Sequence, residues 1–135
     1  MKVLLVDDEK NTSKIFARFL EQRGKFNVVL VHSGEDAIDV YPKEKPDMVI
    51  LDLFMPGMDG LMTLEALKKI DPNAVVLMLT AEKGQEFVNK AKILNAAGYI
   101  TKPLDMERLT AVVNCLLTWN DKKNRPFTVV GELDA

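Results

Sequence analysis

The sequence predicts an α/β protein built on a parallel sheet with helices on both faces. Three observations predict it. Runs such as Lys2-Val-Leu-Leu-Val6 and Met48-Val-Ile-Leu51 are apolar on both sides, as in strands that no solvent touches. Stretches with apolar residues at helical spacing separate them. The connections are short, which joins βα units into a parallel sheet through right-handed crossovers. A chain of 135 residues holds one core of this kind and is too small for two.

The elements follow in order. Lys2–Val6 is the first strand and stops at Asp7-Asp8-Glu9. From Lys10 to Arg23 the apolar residues Ile15, Phe16, Phe19 and Leu20 form one helical face, and Gly24 suits a left-handed end. Val28–Val31 is the second strand. A short helix then runs from Gly34 to Tyr41 with Ala37, Ile38 and Val40, its exit bracketed by Pro42 and Pro46. Met48–Leu51 is the third strand and leads through a loop to Gly60. Leu61, Leu64, Leu67 and Ile70 mark the next helix, which Asp71-Pro-Asn breaks. Ala74–Leu79 is a fourth strand ending at Thr80, and Phe87, Ala91 and Leu94 mark a fourth helix closed by Asn95. Gly98–Thr101 is the fifth strand. Asp105 suits the cap of the last helix, with Leu104 and Leu109 as a hydrophobic staple, before Leu109, Val112, Val113, Leu116 and Leu117.

Composition excludes several classes. The chain is 47% hydrophobic and 28% charged, ordinary for a soluble globular protein. A net charge of −2 and a pI near 5.4 give no general attraction to nucleic acid or anionic membranes. Lys122, Lys123 and Arg125 are too few and too mixed with Asn and Asp to make a nucleic-acid patch. No apolar run is long enough to span a bilayer, and the first residues meet acids too early for a signal peptide. The single cysteine allows no internal disulfide, so a cytoplasmic location is expected. Cys115 itself is expected to be a small packing residue beside the last apolar stripe.

In open parallel sheets, ligands sit beyond the carboxyl ends of the strands, where strand order reverses. The first strand delivers Asp7, Asp8 and Glu9 to that rim, the third Asp52, the fourth Thr80 and the fifth Lys102. Two carboxylates near 4 Å repel by about 4 kcal/mol at an effective dielectric of 20, so such a cluster holds a cation or shifts its protons. All-oxygen ligands without His or Cys favour Mg2+, or Mn2+, over zinc. A divalent ion, a carboxylate nucleophile and donors for equatorial oxygens are the requirements of phosphoryl transfer. No glycine-rich phosphate loop follows any strand.

Four segments in register, Val-Leu-Leu-Val-Asp7-Asp-Glu, Ile-Leu-Asp52-Leu-Phe-Met-Pro-Gly-Met-Asp-Gly, Leu-Met-Leu-Thr80-Ala and Gly-Tyr-Ile-Thr-Lys102-Pro, resemble the receiver domain of bacterial response regulators. The resemblance covers about residues 2 to 119. It implies a flavodoxin-like fold with five parallel strands in the order 2-1-3-4-5. It implies that Asp52 accepts a phosphoryl group from the phosphohistidine of a sensor histidine kinase or phosphotransfer protein. Asp7, Asp8 and Asp52 would then hold Mg2+ together with the backbone carbonyl of Phe54. Lys102 would pair with acceptor and phosphate, Thr80 would turn to the phosphoryl group, and Tyr99 would swing inward with it. Lys102–Pro103 matches a bond that is cis in the family. The changed surface would comprise the fourth helix, fifth strand and fifth helix, a surface also suited to homodimerisation. The chain would release no product and catalyse only its own phosphorylation and dephosphorylation.

Blander readings exist for single residues. Asp7 or Asp8 alone suits a helix cap, and Asp52 suits turn chemistry. His32 ends an apolar strand and is expected to be structural. An Mg2+-dependent phosphatase would carry its nucleophile after the first strand, and a receiver without phosphorylation would have lost an acid, Thr80 or Lys102. Two positions depart in an informative way. Phe54 and Glu82 stand two places after Asp52 and Thr80 and flank the path of a hydrolytic water. Residues 1–119 are therefore expected to form the receiver. Residues 120–135 lie outside the alternation as a tail or the start of a linker, with Arg125-Pro-Phe-Thr-Val-Val-Gly resembling the entry to a new strand.

Overall fold

The computed structural model describes residues 1–103, 105–121 and 124–134. Its elements are β1 (Lys2–Val6), α1 (Lys10–Gln22), β2 (Asn27–Val31), α2 (Gly34–Glu44), β3 (Met48–Leu51), α3 (Gly60–Ile70), β4 (Val76–Thr80), α4 (Gln85–Ile93), β5 (Gly98–Thr101), α5 (Met106–Leu117) and β6 (Thr128–Val130). The strands form one parallel sheet in the order β2-β1-β3-β4-β5-β6. The fold is flavodoxin-like, with six strands instead of the five expected. The sixth comes from the tail. Gly98 pairs with Thr128 and Ile100 with Val130, so the tail lies along the sheet edge that β5 would otherwise form. Phe127 and Leu133 flank β6 and pack on the core.

Every residue of β3, β4 and β5 is buried, as their two-sided apolar runs require. One face packs Leu4, Val6, Val49, Leu51, Val76, Met78 and Tyr99 against α2, α3 and α4. The other packs Val3, Leu5, Ile50, Leu77 and Ile100 against α1 and α5. Each buried apolar side chain contributes about 1.5–3 kcal/mol, so strand placement is set by the core and polar rim residues are carried along with it.

Local departures from the sequence expectations have physical causes. α1 buries Ser13, Ala17 and Leu20, while Ile15 is 64% exposed, because the buried stripe runs through small residues that let the helix sit close to the sheet. The left-handed residue after α1 is Lys25, not Gly24. Gly24 is needed for space: a Cβ there would stand 2.6 Å from the Phe26 ring. α2 runs through Pro42 to Glu44, since an exposed proline in the last turn forfeits only one helix bond. Ile70 is exposed at the end of α3, and Cys115 is exposed on α5 instead of packed. Asn95 is left-handed and Asp105 accepts the Arg108 N–H as an N-cap, both as expected. Leu104, the other half of the expected staple, and Lys122 and Lys123 lie outside the described residues. No helix among the described residues is long and apolar enough to cross a membrane.

Candidate functional site

β1 and β3 are neighbours at the point where strand order reverses, and their carboxyl ends bring the acids together. Asp7, Asp8 and Asp52 each offer a carboxylate oxygen, and these oxygens lie within 4.8 Å of one another. Asp7 is almost fully buried, at 2% exposure, a costly place for a carboxylate without partners. Its Oδ1 accepts the Glu9 N–H at 2.9 Å, and its Oδ2 lies 3.3 Å from Lys102 Nζ. Neither Asp7 nor Asp8 serves as the N-cap of α1: that residue is Glu9, and no side chain caps the helix.

Asp52 is oriented by its neighbour in sequence. Its Oδ1 accepts the Leu53 N–H at 2.7 Å, which leaves Oδ2 facing Lys102 Nζ at 3.9 Å. Burial pushes the Asp52 carboxyl above the usual carboxylate range. Lys102 opposes that shift, Asp7 adds to it, and the Thr80 hydroxyl and Leu53 N–H restrain it. One lysine thus serves two acids. The bond from Lys102 to Pro103 is cis.

Thr80 and Tyr99 occupy adjacent strands and meet at one loop. The Thr80 hydroxyl accepts the Glu82 N–H at 3.2 Å, and the Tyr99 hydroxyl donates to the Glu82 carbonyl at 2.8 Å. The Tyr99 ring is fully buried, and burial, then Glu82 and Asp52, hold its hydroxyl proton tightly. Phe54, directly after Leu53, turns outward at 55% exposure, its ring edge-on to Phe87 of α4 with centroids 5.5 Å apart.

Further contributors were not marked as site residues by the sequence. Phe16 of α1 places its ring 5.6 Å from Lys102 Nζ, a cation–π contact that holds the lysine over the rim. The aromatic was visible only as one member of an apolar face. His32 Nδ1 lies 2.9 Å from the Asp7 carbonyl oxygen, which can only accept, so the ring donates there. Its role is structural, as expected, and it fixes the backbone of a site acid. Gly60 begins α3 directly against the start of the loop that follows Asp52. A Cβ there would stand 2.7 Å from Leu53 Cα and closer still to the Asp52 carbonyl oxygen. Its position after Asp59 had suggested only a turn.

The donor set suits a hard divalent cation. The oxygens available are carboxylates, each of Asp7 and Asp52 already using one oxygen on a backbone N–H, and neither sulfur nor imidazole stands among them.

The family model of the response regulator receiver domain matches residues 3–114. The chain is 32% identical to sporulation initiation phosphotransferase F of Bacillus subtilis, across 83% of this chain and 90% of that one. It is 36% identical to chemotaxis protein CheY of Treponema pallidum, across 83% and 82% respectively. Among solved structures, CheY in the CheX-CheY-BeF3-Mg+2 complex from Borrelia burgdorferi superposes with a TM-score of 0.82 at 32% identity, covering 88% of this chain and 90% of that one. The Francisella response regulator 1452 receiver domain gives 0.79 at 28% identity, covering 86% and 95%. The chain belongs to the response regulator receiver domain family of two-component signalling, whose general role is that of a phosphorylation switch.

Proposed function

We propose that Asp52 accepts a phosphoryl group from the phosphohistidine of a sensor histidine kinase or phosphotransfer protein, in an Mg2+-dependent reaction. The observation that carries this reading is the placement of the Asp52 carboxylate. It lies within 4.8 Å of two other carboxylates and is faced by Lys102, at the carboxyl end of a fully buried strand.

The chain's residues divide the work. The Leu53 N–H holds Asp52 Oδ1, so Oδ2 is the oxygen free to attack phosphorus. The new O–P bond forms as the P–N bond to the donor imidazole breaks, and that electron pair leaves with the ring. Asp7 and Asp8, with Asp52 and the Phe54 carbonyl, would hold Mg2+, which neutralises the charge of the incoming phosphoryl oxygens. Lys102 is held by Asp7 and would meet the same oxygens. Thr80, whose hydroxyl accepts the Glu82 N–H, would turn that hydroxyl to a phosphoryl oxygen. Tyr99 is bonded to that residue's carbonyl and carries the change into the α4-β5-α5 surface. That surface, whose β5 edge is covered by β6, would serve a partner or a second copy. The output is a changed surface and not a released product, so the chain acts as a signalling receiver that catalyses only its own phosphorylation and dephosphorylation.

The test is direct. Incubation with Mg2+ and acetyl phosphate should yield a hydroxylamine-labile adduct of one phosphoryl group by mass spectrometry, absent without Mg2+ and absent from Asp52→Asn. An undiminished adduct on Asp52→Asn, or none on the native chain, would refute the assignment.

A further inference from the structure

At the opposite end of the sheet, by the amino ends of β4 and β5, lies a cavity of about 500 Å3. Among the described residues three cationic side chains line it, Lys68 from α3, Lys92 from α4 and Arg125 from the tail, with the amides of Asn73 and Asn95 and no carboxylate. This is a concentrated positive site in a chain whose net charge is −2.

Arg125 makes the site unusual. Its Nε is buried and has no hydrogen-bond partner among the described residues. An unpaired buried donor costs about 1–3 kcal/mol, and more when it is charged. Burial also works against the charged forms of Lys68 and Arg125; at Lys68, Asp71 offsets part of this and Arg125 adds to it. The acid nearest Lys68, Asp71, has both oxygens engaged, one by the Tyr41 hydroxyl at 2.7 Å and one by the Asn73 N–H at 2.9 Å. Helix-end compensation accounts for Lys68, which donates to the Ala74 and Pro72 carbonyls, and for the place of Lys92 in the last turn of α4. It does not account for Arg125, which comes from outside both helices and whose Nε finds no acceptor among the described residues.

We propose that this cavity binds a small polyvalent anion of the phosphate type. The guanidinium fork of Arg125 would grip it, with Lys92 and Lys68 neutralising it. The apolar part of the lining, Val75 and Phe127, leaves room for a compact organic portion. Arg125 and Phe127 lead directly into β6, so the anion would fasten the tail to the domain.

Pyrophosphate is a suitable probe, titrated into the full chain in EDTA at constant ionic strength and followed by amide NMR. Saturable shifts are expected at residues 73–75, 95–97 and 125–127, with slower hydrogen exchange at Thr128–Val130. Arg125→Ala should weaken the Kd by tenfold or more, and Lys92→Gln by a smaller factor. Asp52→Asn should leave it unchanged, which separates this site from the acidic one. Shifts that grow linearly without saturating, equal affinity in both cation variants, or loss of binding in Asp52→Asn would overturn the proposal.

Discussion

Asp52 stands at a position where its surroundings work against ionisation. Burial is the largest influence and Asp7 adds to it, while Lys102 and two hydrogen bonds offset only part. The folded chain therefore holds the Asp52 proton more tightly than the unfolded chain does. Stability should fall as pH rises through the window above the ordinary value of 3.8, and the deficit persists at neutral pH. Asp52→Asn removes that deficit, about 1.4 kcal/mol for each unit by which the carboxyl is displaced. Thermal melts should show the variant pulling ahead of the native chain as pH rises from 4 to 7. A variant no more stable at pH 7 would contradict this account. Phe54 offers a second expectation at this scale. Its ring stands outside the acceptor loop, braced on Phe87, where it would hinder a water approaching a phosphorylated Asp52. Autodephosphorylation of Phe54→Ala should be several-fold faster; an unchanged or slower rate sinks the idea.

At the scale of elements, the residues on the rim were legible because each stands where an apolar run stops. The polarity break locates Asp7, Asp52, Thr80 and Lys102 without knowledge of the neighbouring strands. Phe16, His32 and Gly60 were not legible as site residues, because their importance depends on what the fold brings beside them. The same holds for β6. Arg125-Pro-Phe-Thr-Val-Val-Gly resembles the entry to a new strand, but its place in this sheet depends on the unpaired edge that Gly98–Ile100 offers. Gly131 secures its far end with φ at +102°, where an added Cβ would run into the Thr101 side chain. Gly131→Val should free the tail from that end while leaving the core intact. Hydrogen exchange at Val129 and Val130 should rise by an order of magnitude or more, with little change in strands β1, β3 and β4. Unaltered exchange at β6 would show that Gly131 is not its anchor.

For the whole molecule, one lysine facing three clustered carboxylates leaves the rim electrostatically unfinished. A cation that binds the folded but not the unfolded chain stabilises it by RT ln(1 + [ion]/Kd), about 1.4 kcal/mol at ten times the Kd. Mg2+ should therefore raise Tm in a saturable way, and Asp7→Asn should abolish the rise. Equal stabilisation by NaCl of matched ionic strength would reduce the effect to screening. The docked tail has a further consequence for association. A strand tethered by a short linker competes for the β5 edge at an effective concentration on the order of millimolar. A partner offering a strand of its own at cellular concentrations would face that competitor at every encounter. Partners that engage helical surface away from that edge meet no such rival, so the tail acts as a filter on the kind of protein that can dock beside β5.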